Sequence, residues 1–446
     1  MGRPNSESRE ILALAIPAFL ALVAEPLFLL ADTAIVGHLG TAPLAGLGVA
    51  GAILITASGL FVFLAYGTTS IVARQVGAGH ARAALASGLD GIWLGLGLGV
   101  VSAVVVGLGA APLCGLFGAS AEVTGQAAIY LGISAASIPA MLVVLAATGA
   151  LRGLQDTRTP LVASVLGFGA NLGLNLWFVL GLGWGIAGSA WGTVIAQTAM
   201  ALGLVTVVVR RALRRQAPLR PEPMRVLRAA VAGAPLLVRT LALRAILLVT
   251  TWVAAGLGDV PLAAHQVAST IWTFQAFALD ALAIAAQALT GKALGAGDPL
   301  AVRAATTTMI RWGAWSGLVL GLALAAGCRV LPPLFTTDAA VQDALAAALV
   351  VIGATGWLSG LVFVVDGVLI GAGDGRWLAA AMAATLALYL PFVLAVRWQS
   401  EALARLGDSV AVAALWAVSM VFMGIRWGFL RHRVRTDAWL VTGAER

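Results

Sequence analysis

The chain has 446 residues, of which 61% are hydrophobic and 10% are charged. A soluble globular protein of this length needs more charge to cover its surface, so the composition indicates a protein that lies mostly in lipid. The net charge of +8 comes largely from arginines in short loops, which is typical of membrane topology and not of nucleic-acid binding. No nucleic-acid partner is expected. The two cysteines, Cys114 and Cys328, have no metal-binding spacing, so we expect neither a metal site nor a cofactor.

Twelve apolar runs follow one another along the chain, and each is long enough to cross about 30 Å of hydrocarbon as a helix. They lie at 10–37, 45–71, 87–115, 122–150, 158–181, 185–209, 230–256, 263–289, 307–334, 341–372, 376–397 and 408–430. The first run has no convincing signal-peptidase site, so we expect it to remain as a membrane helix. The predicted fold class is therefore an all-α polytopic membrane protein with twelve transmembrane helices.

The basic residues predict the orientation of these helices. If both termini are cytoplasmic, most of the 27 lysines and arginines fall in inside segments. The exceptions are Arg329, Arg397 and Arg405 in outer loops, and Arg239 and Arg244 within the seventh run. This asymmetry is the positive-inside pattern. Because arginine, alanine and glycine are abundant and lysine is rare, we expect a bacterial protein of the inner membrane with both termini in the cytoplasm.

A basic linker divides the twelve runs into two sets of six. The segment RRALRRQAPLRPEPMRVLR begins at residue 210 and contains seven arginines and three prolines. We therefore predict an N-terminal lobe at 1–209, a cytoplasmic linker at 210–229, a C-terminal lobe at 230–430 and a cytoplasmic tail at 431–446.

The two lobes repeat each other at an offset of 218 residues. LGTAPLAGLGVA at 39–50 aligns without gaps with LGDVPLAAHQVA at 257–268, and 13 of the 41 positions from 39 to 79 are identical. Six spans separate the copies, so they are parallel repeats, which favours a transporter that works by alternating access. No GxxxxGK[ST] phosphate loop is present, so the energy is expected from an ion or substrate gradient. The alternative is a membrane scaffold or sensor that transports nothing.

Carboxylates interrupt the apolar runs at five positions: Glu25, Asp32, Asp90, Asp280 and Asp366. An ionised group at mid-helix costs roughly 2.5–3.5 kcal/mol, so each is a functional candidate. Glu25 and Asp32 are seven residues apart and share a helix face. Asp32 lies about 7 Å from the outer end of its span, where protons can reach it. Asp90 lies near the cytoplasmic end and is expected at the interface. A structural carboxylate that hydrogen-bonds to neighbouring helices is the alternative for each position.

Prolines and neutral polar groups accompany these carboxylates in the first six spans. Pro17 and Pro26 remove backbone hydrogen bonds from the first span and make it easy to bend. Asn171 and Asn175 project from one face of the fifth span because they are four residues apart. The neighbouring spans add the hydroxyl groups of Tyr130 and Thr193. Each of these polar groups, taken alone, is also compatible with ordinary helix packing.

The second lobe has a different set of ionisable groups. Asp280 and Asp366 lie in its spans together with Arg239 and Arg244. Acids and arginines in lipid pair with one another, which predicts a charge network that joins the seventh, eighth and tenth spans. The network is either structural or involved in gating. At the repeat offset, Asp32 aligns with Thr250, which indicates that the second lobe has not kept the polar cluster of the first.

Several segments resemble the family of multidrug and toxic compound extrusion (MATE) transporters. They are DTAIVGHLG after the proline-containing first span, LRGLQDTRTPL after the fourth, and NLGLNLWFVLGLGWGIAGSAWGT across the fifth and sixth. LDALAIAAQALTGKALGAGD and DGVLIGAGDGRWLA resemble its DinF branch. The resemblance implies a V-shaped, cation-coupled antiporter with two six-helix lobes. It also implies a coupling site in the first lobe, made of Asp32, Tyr130, Asn171 and Thr193, and a helix kink at Pro17.

Asn175 departs from this family pattern, because some relatives have a second aspartate there. With one formal charge fewer, the site favours protons over Na⁺, which prefers several oxygens and anionic ligands. The expected function is thus export of small hydrophobic or cationic compounds by a monomer, with Asp32 as the protonation switch, and no enzymatic activity. The alternatives are Na⁺-coupled multidrug efflux and a lipid-linked precursor flippase of the wider superfamily.

Overall fold

The computed structural model describes residues 4–444, and within them every side chain except those of residues 4–7 and 25–31. No β-strand occurs in this part of the chain. The first nine helices are α1 (Pro4–Gly37), α2 (Thr41–Leu60), α3 (Phe63–Gly77), α4 (Ala81–Leu108), α5 (Ala110–Gly115), α6 (Ala121–Ser134), α7 (Ile138–Gly153), α8 (Arg158–Asn175) and α9 (Gly185–Arg214). The next eight are α10 (Pro223–Ala255), α11 (Asp259–Gly295), α12 (Pro299–Ala326), α13 (Ala339–Ala354), α14 (Gly356–Gly371), α15 (Gly375–Trp398), α16 (Ser400–Leu406) and α17 (Asp408–Arg435).

Each predicted apolar run lies in one of these helices or in a broken pair, except that the ninth run, 307–334, extends beyond the end of α12 at Ala326. Ten spans of the described residues are long and apolar enough to cross a membrane, and the pair α13–α14, bent by 55°, makes an eleventh. The helix α1, which contains side chains outside the described set, covers the first predicted run. The prediction of an all-α polytopic membrane protein is therefore confirmed.

Several of the spans are irregular, which the apolar pattern does not reveal. The second predicted run breaks between α2 and α3, and a 3₁₀ turn at Ala135–Ser137 separates α6 from α7. The fifth run ends in a π-helical turn at Leu176–Gly181, directly after α8. Such turns leave the hydropathy unchanged because they replace one backbone hydrogen-bond pattern by another.

The chain forms two compact units. The N-terminal unit comprises Leu12–Ala234, Gly295–Gly297 and residues 443–444, and the C-terminal unit comprises Pro235–Leu294, Asp298–Thr442 and the start of α1 up to Ile11. The predicted linker at 210–229 is helical at both ends, because α9 continues to Arg214 and α10 begins at Pro223. As a result, the boundary between the units falls inside α10.

The internal repeat is visible in the backbone. Gly40 and Gly258 both have φ 122°, and Gly79 and Gly297 have φ 79° and 75°. These are left-handed conformations that glycine adopts without strain, and each pair is separated by the offset of 218 residues. Gln155 and Gly373 form a third pair with φ 63° and 70°. The parallel repeat predicted from sequence thus extends to the turns that connect the helices.

Glycines allow helix backbones to touch in the C-terminal unit. A Cβ on Gly317 of α12 would lie 2.3 Å from the carbonyl oxygen of Gly356, and one on Gly360 of α14 would lie 1.9 Å from that of Gly313. Small residues at such crossings give the van der Waals contact that holds helices together in lipid. The glycines of α12 and α14 therefore allow these two helices to pack in close contact.

Candidate cation-coupling site

The carboxylate of Asp32 lies at the centre of a polar cluster in the N-terminal unit. Asp32 is on α1, one and a half turns before the helix ends at Gly37, and only 3% of the residue is exposed. Its Oδ1 accepts a hydrogen bond from Asn175 Nδ2 at 2.6 Å and another from Ser189 Oγ at 2.8 Å. Hydrogen bonds to a carboxylate stabilise its charged form in an otherwise apolar setting.

A second layer of hydrogen bonds extends this cluster. The Tyr130 hydroxyl on α6 lies close to Asp32 and to Thr193. Asn171 Nδ2 donates to Thr193 Oγ1 at 3.4 Å, and Thr193 Oγ1 donates to the backbone carbonyl of Ser189 at 3.2 Å. The structure thus brings together all five residues that the sequence assigns to the coupling site.

Helical spacing explains why these side chains meet. Asn171 and Asn175 are one turn apart on α8, and Ser189 and Thr193 are one turn apart on α9, so each pair faces the same neighbour. Gly192 lies between the two positions on α9. A Cβ there would lie 2.0 Å from Asn175 Oδ1, so any larger residue would force the asparagine amide to shift.

Sequence reasoning missed Ser189 and Gly192. Both are small residues of kinds that occur throughout membrane helices, and neither interrupts the apolar run around it. The available signal was the position of Ser189, four residues before Thr193 on the same face of the helix. Polar residues at this spacing, opposite a predicted carboxylate, indicate a further ligand of that carboxylate.

The cluster has unused hydrogen-bond acceptors. Asn171 Oδ1 and Asn175 Oδ1 are buried and have no hydrogen-bond partner among the described residues. Buried amide oxygens are rarely left without a donor. The site therefore combines one carboxylate with two free neutral oxygens, and this set can receive a proton or a small cation. In the described residues no group of three or more histidine, cysteine or acidic side chains could hold a metal ion.

The structure describes less of the environment of the other predicted residues of α1. Pro17 is half-buried within a helix that continues from Pro4 to Gly37. The side chains of Glu25 and Pro26 lie outside the described residues, although the backbone at both positions is helical. Whether Glu25 shares the environment of Asp32 stays a prediction.

A buried charge cluster lies in the C-terminal unit. Asp366 on α14 accepts hydrogen bonds from Arg239 on α10, with Nε 3.4 Å from Oδ1, and it pairs with Arg426 on α17 at 2.9 Å. The predicted network thus includes the twelfth span. Arg244 is exposed and is not part of this buried cluster, and Asp280 lies half-buried on α11. Arg426 was missed because an arginine near the cytoplasmic end of the last span resembles a topology signal.

Asp90 connects α4 to the linker. Its Oδ2 accepts a hydrogen bond from Arg225 Nε at 2.8 Å, and on the same helix Trp93 Nε1 donates to the carbonyl of Leu219 at 3.1 Å. Both partners belong to the segment that joins the sixth and seventh spans. Asp90 therefore holds the linker and takes no part in the Asp32 cluster.

The model of one protein family matches both halves of the chain. The MatE model matches residues 17–177 and again residues 235–395, and the two matches are offset by the 218 residues of the repeat. Together they cover more than half of the chain, so this multi-pass membrane protein belongs to the MatE family. The resemblance to MATE transporters is confirmed.

Individual relatives come from plants and bacteria. The chain is 32% identical to Protein DETOXIFICATION 44, chloroplastic, of Arabidopsis thaliana over 448 residues, which covers 96% of this chain and 83% of that protein. It is also 32% identical to DNA damage-inducible protein F of Escherichia coli over 309 residues, which covers 66% and 65%. The latter agrees with the resemblance to the DinF branch.

Solved structures support the fold. A variant of the MATE transporter VcmN of Vibrio cholerae superimposes with a TM-score of 0.87 over 98% of this chain and 99% of that one, at 22% sequence identity. At this identity the likeness establishes the fold alone.

Proposed function

We propose that this protein is a proton-coupled antiporter that exports small hydrophobic, often cationic organic compounds across the bacterial inner membrane. The observation that carries the proposal is the Asp32 carboxylate, which is buried, accepts hydrogen bonds from Asn175 and Ser189, and lies beside Tyr130. An ionisable group at such a position in a membrane protein marks a path for ions or substrate.

Protons suit this site better than sodium ions. Na⁺ is a hard cation that favours several oxygens and anionic ligands, whereas the cluster supplies a single described carboxylate. The Oδ1 of Asp32 already accepts two hydrogen bonds. A proton on Asp32 needs only one acceptor, and the unpaired amide oxygens of Asn171 and Asn175 are acceptors in the same cluster. A sodium-coupled antiporter would instead need Na⁺ for efflux, and an efflux assay without sodium distinguishes the two.

Competition between proton and substrate is the proposed basis of coupling. Ionised Asp32 attracts a cationic substrate, and protonated Asp32 loses that attraction and releases it outward. Protonation also changes the hydrogen bonds to Asn175 and Ser189, and we propose that α1 responds by bending near Pro17. A ligand shifts such an equilibrium only by its differential affinity for the two states, which the charge of Asp32 provides.

A flippase for lipid-linked pyrophosphates receives less support. Such a protein needs basic groups that are free to hold phosphates. The buried guanidinium groups of Arg239 and Arg426 both pair with Asp366, so their charge is already partly balanced. The single described carboxylate of the Asp32 cluster is instead suited to attract a cationic compound.

The test is efflux of a fluorescent lipophilic cation from proteoliposomes under an imposed pH gradient without sodium. We expect transport by the wild type, loss of transport in Asp32→Asn, and retention in Asp90→Asn, which removes a buried carboxylate outside the cluster. Transport that requires sodium would overturn the proton assignment. Equal transport by wild type and Asp32→Asn would show that Asp32 is structural.

A further inference from the structure

The C-terminal unit contains a polar cluster that the proposed mechanism does not use. Thr250 Oγ1 on α10 and the Tyr389 hydroxyl on α15 lie 2.7 Å apart and hydrogen-bond with each other. His265 on α11 lies in the same unit, next to Thr251 on α10 and Ser269 on α11. The alignment of the two lobes, in which threonine replaces Asp32, does not reveal this histidine.

His265 is held through one of its ring nitrogens. The residue is 4% exposed, and its Nε2 lies 3.3 Å from Thr251 Oγ1 and 3.4 Å from Ser269 Oγ. The hydroxyl of Thr251 donates its hydrogen to the carbonyl of Leu247 at 3.1 Å, so toward His265 it can only accept. The contact with Thr251 thus favours the tautomer with the hydrogen on Nε2, which leaves Nδ1 with its lone pair.

The other nitrogen has no partner. Nδ1 of His265 is buried and accepts no hydrogen bond from any described residue. The ring packs against Trp416 on α17 with the centroids 5.6 Å apart, and the Nε1–H of that tryptophan is likewise buried without an acceptor. A buried basic nitrogen without a donor is the arrangement that a proton would complete.

No described carboxylate or guanidinium group pairs with the ring. Along α10, α11 and α17, which supply its contacts, the nearest titratable residues in sequence are Arg244, Asp259, Asp408 and Arg426. Tyr389 and Arg397 lie on α15, which contacts α10. Arg244 is seven residues from Thr251, about 10 Å along the helix, and Arg397 lies over the Trp252 ring and donates to the carbonyl of Gly256. An imidazolium without a counter-charge is unstable while the cluster is dry, so a proton stays on His265 only when water enters.

We propose that His265 is a second proton-binding residue of the transport cycle, with Nδ1 as the acceptor. The proposal rests on the proton-coupled transport proposed above. At the repeat offset, His265 corresponds to Leu47, whereas the cluster residues Thr250 and Tyr389 correspond to Asp32 and Asn171. The second unit thus has a neutral threonine at the position of Asp32 and a titratable imidazole on the next helix, at the position of Leu47. Protonation favours the hydrated form of this cluster and deprotonation favours the closed form.

Nitrogen-15 NMR of histidine-labelled protein in nanodiscs tests the proposal directly. The chain has four histidines, and His265→Gln assigns the signal of interest, with His38→Gln at an exposed position as the matched control. At pH 8 the His265 signals should report hydrogen on Nε2 and a bare Nδ1. At pH 5, with a transported dye present, both nitrogens should be protonated. Hydrogen on Nδ1 at pH 8, or a ring that stays neutral at pH 5, would overturn the proposal.

The number of protons exchanged per substrate gives the functional readout. We expect this ratio to fall by one in His265→Gln and to stay unchanged in His38→Gln. If His265→Gln does not fold, Ser269→Ala and Thr251→Val remove the hydroxyls at Nε2 and should shift the NMR titration. An unchanged ratio in His265→Gln, together with lost coupling in Asp32→Asn, would reject the His265 site alone. Proton-independent transport by the wild type, with a normal His265 titration, would instead reject the proposed antiport.

Discussion

Asn175 and Gly192 pack so closely that a methyl group cannot fit between them. A Cβ on Gly192 would lie 2.0 Å from Asn175 Oδ1, while the Nδ2 of the same amide donates to Asp32. Because Gly192 on α9 has no side chain, the Asn175 amide can lie where it donates a hydrogen bond to the Asp32 carboxylate on α1. This glycine controls the site without touching the carboxylate itself.

Gly192→Ala should impair coupling while leaving the fold intact. The added methyl group pushes the Asn175 amide away, and a hydrogen bond to a charged group contributes about 1.5–3 kcal/mol. We therefore expect at least about a tenfold loss of proton-driven efflux in proteoliposomes. Gly203→Ala on the same helix is the control, because a Cβ there meets nothing within 4 Å. Equal loss in both variants would show that the effect is a general one of α9.

Asn175→Asp should change the ion preference of the site. The Asn175 amide nitrogen is 2.6 Å from Asp32 Oδ1, and two carboxylates at such a distance cannot both ionise without a cation between them. We expect sodium to stimulate efflux by this variant at neutral pH, where the wild type does not respond. In Asn171→Asp the new carboxylate would face Thr193, and stimulation should be weaker. A variant that ignores sodium would contradict this view of the site.

Asp366→Asn should destabilise the C-terminal unit strongly. The substitution leaves the guanidinium groups of Arg239 and Arg426 without their shared counter-charge, and breaking a buried pair in this way costs about 3–5 kcal/mol. The melting temperature in detergent should fall by several degrees. Asp343→Asn, which breaks the exposed pair with Arg329, should have almost no effect. A melting temperature unchanged in Asp366→Asn would indicate that the two arginines are balanced elsewhere.

Asp156 should make stability depend on pH in the acid range. It lies between α7 and α8, where burial disfavours its charge, but hydrogen bonds from Thr159 and the guanidinium of Arg211 outweigh burial and lower the pKa below 3.8. A lowered folded-state pKa stabilises the protein above the unfolded pKa, and this contribution is lost as the pH falls through the folded value. Wild type should therefore melt above Asp156→Asn at pH 7, and the difference should shrink as the pH falls below about 3.8 and vanish once the pH is below the folded-state pKa. A difference that does not shrink below about pH 3.8 would contradict the assignment.

The sequence was most informative about polar residues that interrupt apolar membrane spans. Asp32, Asn171 and Asn175 interrupt apolar runs at helical spacing, so their meeting in one cluster could be predicted from periodicity together with the family resemblance. Ser189 and Gly192 could not, because small residues are ordinary in membrane helices and their importance depends on which neighbour they face.

The C-terminal unit was harder to predict for a related reason. Asp366 was expected to pair with an arginine. That Arg426 and not Arg244 takes part in this pairing depends on which face of each helix points into the unit. The contacts of His265 with Thr251 and Ser269 likewise depend on how the helices are rotated about their axes. A hydropathy pattern carries no information about that rotation. The breaks at Ala135–Ser137 and Leu176–Gly181 escaped prediction because they alter hydrogen-bond geometry and not composition.

Proton release on substrate binding tests the central claim most directly. Purified wild type in weakly buffered detergent solution, at a pH where Asp32 is partly protonated, is mixed with a lipophilic cation while a pH indicator records the free protons. If proton and substrate compete at Asp32, binding should release protons from the wild type and release far fewer from Asp32→Asn, with Asp90→Asn behaving as the wild type. Binding without proton release, or equal release in Asp32→Asn, would contradict the account.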